Sequence, residues 1–359
     1  MEGDEIPVMK KILWVIVALV CASIAGFASY WHFSSPDRTC NSCHEINTAH
    51  ELWAQSAHRE ALCSECHGTA LSNGFHSLWE NSRRVIAHFS EKHPEDIRLT
   101  EAQVVEMVQR CKKCHEREYA GWLSSGHSMR YSDVFLNAIH NREEQINYDC
   151  LRCHAMFFEG SIQDMVTPIS TSGPWTMMKA EDANKPAIPC LACHEIHFKG
   201  SPANRPDYSN PKMIASKREP RSPKPAFYDR REKRHFEITL LSQPPIRDGQ
   251  RVIRTSPDSR QRLCYQCHAP NFERDVGSAD DRTPKGVHEG LSCIACHSPH
   301  SLDTRPSCAE CHPRLSNCNR DVDKMDTTFQ SPASKYNIHF VACADCHPKG
   351  VPPKKPRTT

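Results

Sequence analysis

The chain has 359 residues, with 45 Lys+Arg against 43 Asp+Glu for a formal charge of +2, and only 38% hydrophobic and 8% aromatic residues. That composition excludes a large hydrocarbon or aromatic core, so buried apolar bulk has to come from something other than side chains. The 20 cysteines and 22 histidines are far above ordinary usage.

In chain order, residues 1–11 form a short N-terminus that ends in Lys10 and Lys11. Residues 12–31 (Ile12 to Trp31) are an uncharged apolar run of 20 residues, long enough for a single transmembrane helix. The two lysines predict a cytoplasmic N-terminus, with the rest of the chain on the periplasmic or extracytoplasmic side of the inner membrane. A cleaved signal peptide is the other reading, with Gly26-Phe27-Ala28 as its small-residue site. The length of the run favours the anchor. Cys21 lies inside it and reads as a small apolar membrane residue.

After the run, one motif recurs. C-x-x-C-H occurs nine times: Cys40-Cys43-His44, Cys63-Cys66-His67, Cys111-Cys114-His115, Cys150-Cys153-His154, Cys190-Cys193-His194, Cys264-Cys267-His268, Cys293-Cys296-His297, Cys308-Cys311-His312 and Cys343-Cys346-His347. These copies use 18 of the 20 cysteines. A zinc site wants four ligands but no His directly after every second Cys. A disulfide scaffold wants paired cysteines but no His at all. Covalent attachment of haem c explains all three positions: two thiols form thioethers with one porphyrin, and the adjacent His ligates its iron. Nine haems over the exported part leave about 37 residues per haem, too few for a separate fold around each. The haems themselves are expected to form the core. The predicted fold class is mainly α and irregular with little strand: one N-terminal transmembrane helix and a haem-packed domain.

Thirteen histidines lie outside the motifs, and nine would complete bis-histidine ligation. His58 and His127 sit in one phrase, Trp53-Ala-Gln-Ser-Ala-His58 and Trp122-Leu-Ser-Ser-Gly-His127, which suggests one structural role used twice. His197 and His300 each follow a motif His by three residues, so each points away from its own haem and suits a neighbour's iron. His288 and His339 shortly precede Cys293 and Cys343, and His140 precedes Cys150 by ten. These seven, with His88 and His235, are the expected second axial ligands. His32, His50, His76 and His93 read as non-ligands. Thr48-x-x-Glu51 and Thr100-x-x-Gln103 are expected capping boxes, the second opening an amphipathic helix that runs into Cys111.

Residues 198–262 contain no motif, are rich in Pro, and carry 16 Lys+Arg against 7 Asp+Glu. A solvated, partly irregular insertion is the plain expectation; a basic docking surface or a strap across the haems is the functional one. The tail, residues 351–359, ends in a frayed Pro-Lys segment. An exported haem protein leaves no place for nucleic acid as a partner.

The segment Thr39-Cys-Asn-Ser-Cys-His-Glu-Ile-Asn47 after a single helix, with Asn81-Ser-Arg-Arg-Val-Ile-Ala-His-Phe89 further on, resembles the NapC/NirT family of membrane-anchored quinol dehydrogenases, NrfH-type proteins included. The resemblance covers roughly residues 10–115. It implies a region that oxidises menaquinol at the membrane face and passes electrons to periplasmic reductases, with His58 and His88 similar to distal ligands. The family's Met after the first motif is Ile46 here, and its quinol-side Lys and acidic residue align with Leu78 and Arg84. Those departures bear on the first haem and on direct quinol oxidation; Glu45, His50 and Glu80 are alternative proton acceptors. The expected layout is a NapC-like five-haem region over 32–197, the basic insertion over 198–262 and a four-haem region over 263–350. The expected function is a nonahaem electron carrier that feeds a periplasmic or outer redox protein. The alternatives are a reductase of a small nitrogen or sulfur oxyanion, or a haem subunit of a membrane complex without its own quinol site. All nine motifs end in His, which favours the carrier over an enzyme with an open iron.

Overall fold

The computed structural model describes residues 8–33, 46–68, 86, 99–197, 225–243, 245–268, 282–301, 303–304, 306–311 and 338–350. Cys40, Cys43, His44, His76, Leu78, Glu80, Arg84, His88, His93, His312, residues 198–224 and the tail lie outside these. The chain divides into two compact units, Met1–Leu99 with Ile196–Lys199, and Thr100–Glu195 with Gly200–Thr359.

In the first unit, Val8–Phe33 is one continuous helix. It runs past both ends of the apolar run and takes in Lys10 and Lys11, whose long stems let the charge reach beyond an apolar surface. Its large apolar side chains, Ile12, Trp14, Ile16, Leu19, Ile24 and Phe27 among them, are exposed. Length and composition allow it to cross a membrane, and they also suit a signal sequence. A second helix spans Asn47–Ala54, where Ile46 is already helical and no side chain caps it. Thr48 therefore sits inside the helix, and the capping box expected at Thr48 and Glu51 does not form. The helix Cys63–His67 follows.

In the second unit, the helix Glu101–Lys112 forms as its pattern predicts. The Thr100 hydroxyl accepts from the Gln103 N–H, and the Gln103 side chain accepts from the Thr100 N–H. Val104, Met107 and Val108 are its buried face. Short helices Glu116–Leu123, Tyr131–Phe135, Ala138–Glu143, Leu151–His154 and Ile162–Met165 follow, and later Gln261–His268, Cys293–Cys296, Pro306–Cys311 and Cys343–Cys346. Strand is confined among the described residues to three two-stranded antiparallel sheets. The protein is mainly helical with little strand.

A side-chain core does exist in one place. Tyr131, Phe135, Ile146, Leu151, Ala155, Phe158, Ile162, Met165, Val166, Trp175 and Ala187 form one buried cluster. It is joined to the helix Glu101–Lys112 by a polar brace. The Tyr131 hydroxyl donates to Glu101 Oε1 at 2.7 Å, and Lys185 Nζ bridges Glu101 Oε2 and the buried Asp182 Oδ1, both at 2.6 Å. Burial, with Glu101 adjacent, holds the Tyr131 phenol well above its usual pKa.

Within the basic segment, residues 225–243 and 245–262 are described and carry regular structure. Ala226–Asp229 pairs with Arg234–Glu237 as a hairpin. Its inner residues supply the reason: Phe227 and Ile238 are buried, Tyr228 stacks on Phe157 with ring centres 3.9 Å apart, and Arg230 donates to the carbonyl of Phe158 at 2.9 Å.

Candidate haem sites

Four of the described motifs are shaped by their own backbone. In motifs three, five, seven and nine the N–H of the motif His donates to the carbonyl of the first Cys, from His115 to Cys111, His194 to Cys190, His297 to Cys293 and His347 to Cys343, at 2.8–3.1 Å. That bond closes one helical turn. Residues three and four apart share a face of such a turn, so both thiols and the imidazole emerge on one side. In motifs four to seven apolar residues between the cysteines turn inward: Leu151, Leu191, Ala192, Tyr265, Ile294 and Ala295 are buried. In motifs two and nine an acidic residue before the second Cys secures the turn. Glu65 accepts from the Leu62 N–H and Asp345 from the Ala342 N–H, each at 2.7 Å.

Four motif histidines face a non-motif histidine. Ring centres are 5.9 Å apart for His67 and His197, 6.3 Å for His127 and His268, 6.0 Å for His194 and His300, and 5.9 Å for His297 and His339. An imidazole nitrogen binds a first-row metal at about 2.0 Å, which puts the ring centres of two trans imidazoles about 6 Å apart. His154 and His140 line a common cavity of about 230 Å³ with Phe135, Asn141, Ile146 and Cys150. Burial lowers the pKa of His127, His154, His197 and His300, so each imidazole is neutral at pH 7 and keeps a lone pair for a metal.

The second ring nitrogen fixes which atom carries that lone pair. His127 Nδ1 meets the Pro299 carbonyl at 3.4 Å, and His288 Nδ1 meets the Ile338 carbonyl at 3.2 Å. A carbonyl can only accept, so Nδ1 carries the proton and Nε2 is left as the ligating atom. His235 is engaged differently: its Nε2 lies 2.6 Å from the Leu191 carbonyl and its ring packs edge-on against Tyr228. In this arrangement Nδ1 is the nitrogen that remains.

The repeated phrase proves to be one local device. Ser56 Oγ donates to the Trp53 carbonyl at 2.8 Å and accepts the His58 N–H at 3.0 Å. Ser125 Oγ donates to the Trp122 carbonyl at 2.7 Å and accepts the His127 N–H at 3.3 Å. Each indole N–H is anchored to a distant carbonyl, Trp53 to Ala61 and Trp122 to Ile188. Beside it, Gly121 is a packing requirement that the sequence reading missed. A Cβ there would lie 1.9 Å from the His300 carbonyl oxygen.

Sites in the second unit adjoin one another. The side chains of Cys111 and Cys190, of Cys153 and Cys267, and of Cys264 and Cys293 adjoin. Motifs three and five, four and six, and six and seven are therefore neighbours. Haem c fits this donor set: paired thiols on one face of a turn, a neutral imidazole beside them, and a second imidazole at the trans distance.

No curated protein and no solved structure matches the chain significantly. The model of the family described as cytochrome c554 and c-prime matches residues 110–195 and 232–298, together less than half of the chain. The match takes in motifs three to seven, and with it the chain is similar to that family over those residues and is supported as a multihaem c-type cytochrome, a haem c electron-transfer protein.

Proposed function

We propose that the chain is a membrane-anchored nonahaem c-type cytochrome that carries electrons from the quinol pool, or from another membrane donor, to a periplasmic or extracellular redox partner. The observation that carries this reading is the set of four histidine pairs. In each, a motif His stands opposite a non-motif His at the distance two trans axial ligands require. Bis-histidine iron has no open position for a substrate, which suits a carrier.

When bound, haem c supplies a one-electron couple at each iron. The residues do the rest. The thiols of each motif would attach a porphyrin to one helical turn, and the paired neutral imidazoles would ligate its iron. The adjacency of motifs three and five, four and six, and six and seven would bring their haems close to one another for electron hopping. The Val8–Phe33 helix supports the anchor, and the resemblance of residues 10–115 to the NapC/NirT family supports menaquinol as donor.

EPR of the purified, oxidised protein tests the carrier. Low-spin ferric signals alone are expected; a stoichiometric high-spin signal would assign an open iron and favour a reductase. Mass spectrometry is expected to find nine covalent haems per chain. A menaquinol analogue is expected to reduce the lone protein in detergent; failure to do so would move the donor to a neighbouring membrane subunit.

A further inference from the structure

Arg152 stands between the cysteines of the fourth motif, Cys150-Leu-Arg152-Cys153-His154. Its side chain leaves that motif and enters the sixth. Nη2 donates to the Gln266 carbonyl at 2.5 Å, across 114 positions of sequence. Gln266 lies between Cys264 and Cys267. At the same junction the side chains of Cys153 and Cys267 adjoin. The two attachment turns thus meet at their second cysteines, and one guanidinium spans the junction.

A carbonyl partner satisfies the donor without neutralising the charge. The guanidinium stands beside Cys153 in its own motif and at the carbonyl next to Cys267 in the other. Reduction of a ferric haem adds one negative charge. A fixed cation in a partly buried site favours the more negative state, by more than it would in bulk water.

We propose that Arg152 is a positioning residue shared by two haem sites: it clamps the fourth motif to the sixth through the Gln266 carbonyl, and its charge raises the reduction potential of both haems. The inference rests on reading these motifs as haem sites.

The experiment is an optical redox titration of the full-length protein and two variants. Arg152→Gln keeps a donor but removes the charge, and Arg152→Lys keeps the charge. In the Gln variant, two haems' worth of the absorbance change is expected to move to lower potential. The Lys variant is expected to follow the unaltered curve. An unshifted Gln variant, or a Lys variant displaced as far as Gln, would overturn the proposal. Haem per chain, from the pyridine haemochromogen spectrum, is expected to be equal in all three proteins. Loss of two haems from the Gln variant would overturn the tuning role in favour of a purely structural clamp. Absence of covalent haem from the unaltered protein would defeat the haem reading itself, which is a distinguishable result.

Discussion

A histidine ligates through the nitrogen that keeps its lone pair, so the partner of the other nitrogen decides its use. His127 and His288 turn Nδ1 to a carbonyl and keep Nε2, whereas His235 gives Nε2 to Leu191. His127→Ala is therefore expected to leave the iron beside His268 five-coordinate. EPR should then gain one haem's worth of high-spin ferric signal at unchanged haem content, and an all-low-spin spectrum would remove His127 from the ligand set. Gly121→Ala places a methyl against the His300 carbonyl. Because that oxygen is backbone, the loop must shift, and His300 moves off His194. The expected readout is a perturbed low-spin signal from one haem, with secondary structure by circular dichroism unchanged. Residue identity alone made these histidines candidates. Their nitrogen chemistry was not legible, because it depends on carbonyls as far away as 172 positions.

Among elements, the best-read was the helix Glu101–Lys112, since cap, periodicity and the following motif all agreed. Thr100→Ala removes a reciprocal cap and is expected to cost about 0.5–2 kcal/mol, measured by denaturant unfolding of the holoprotein. No change in the unfolding midpoint would show that the brace from Tyr131 and Lys185 to Glu101 holds the helix without its cap. The same kind of signal misled at Thr48, where the chain is helical one residue earlier and the hydroxyl has no end to cap. The Trp-x-x-Ser-x-His phrase was visible as a repeat, and hydrogen bonds at Ser56 and Ser125 explain it. The hairpin Ala226–Glu237 was obscured by its charges, because Arg230 and Arg234 suggest solvent. What orders the segment is Phe227, Tyr228 and Ile238 packing against partners elsewhere in the chain.

At the scale of the molecule, charge changes sign once haem is counted. The sequence carries +2, and each ferric bis-histidine haem with two ionised propionates would add about −1, for about −7 in the oxidised protein on the proposed count of nine. Each electron adds another negative charge. Reduction is therefore expected to raise the propionate pKa values, so that the reduced state binds more protons. Midpoint potentials are expected to fall as pH rises through the propionate range, and potentials independent of pH would sink that coupling. The low apolar content predicted a core made of cofactor. The second unit nonetheless contains a modest side-chain core at Tyr131–Ala187, which takes in Leu151 and packs on Cys150 of motif four.

By itself the sequence determined the chemistry of attachment, because C-x-x-C-H is a local arrangement that one helical turn completes. It also determined the apolar N-terminal helix, whose pattern needs no partner. Which histidine faces which motif, and which motifs adjoin, were decided only by tertiary structure. Those pairings join residues far apart in the chain, such as His127 with His268 and Arg152 with Gln266. No local spacing encodes them; they follow from how the turns pack.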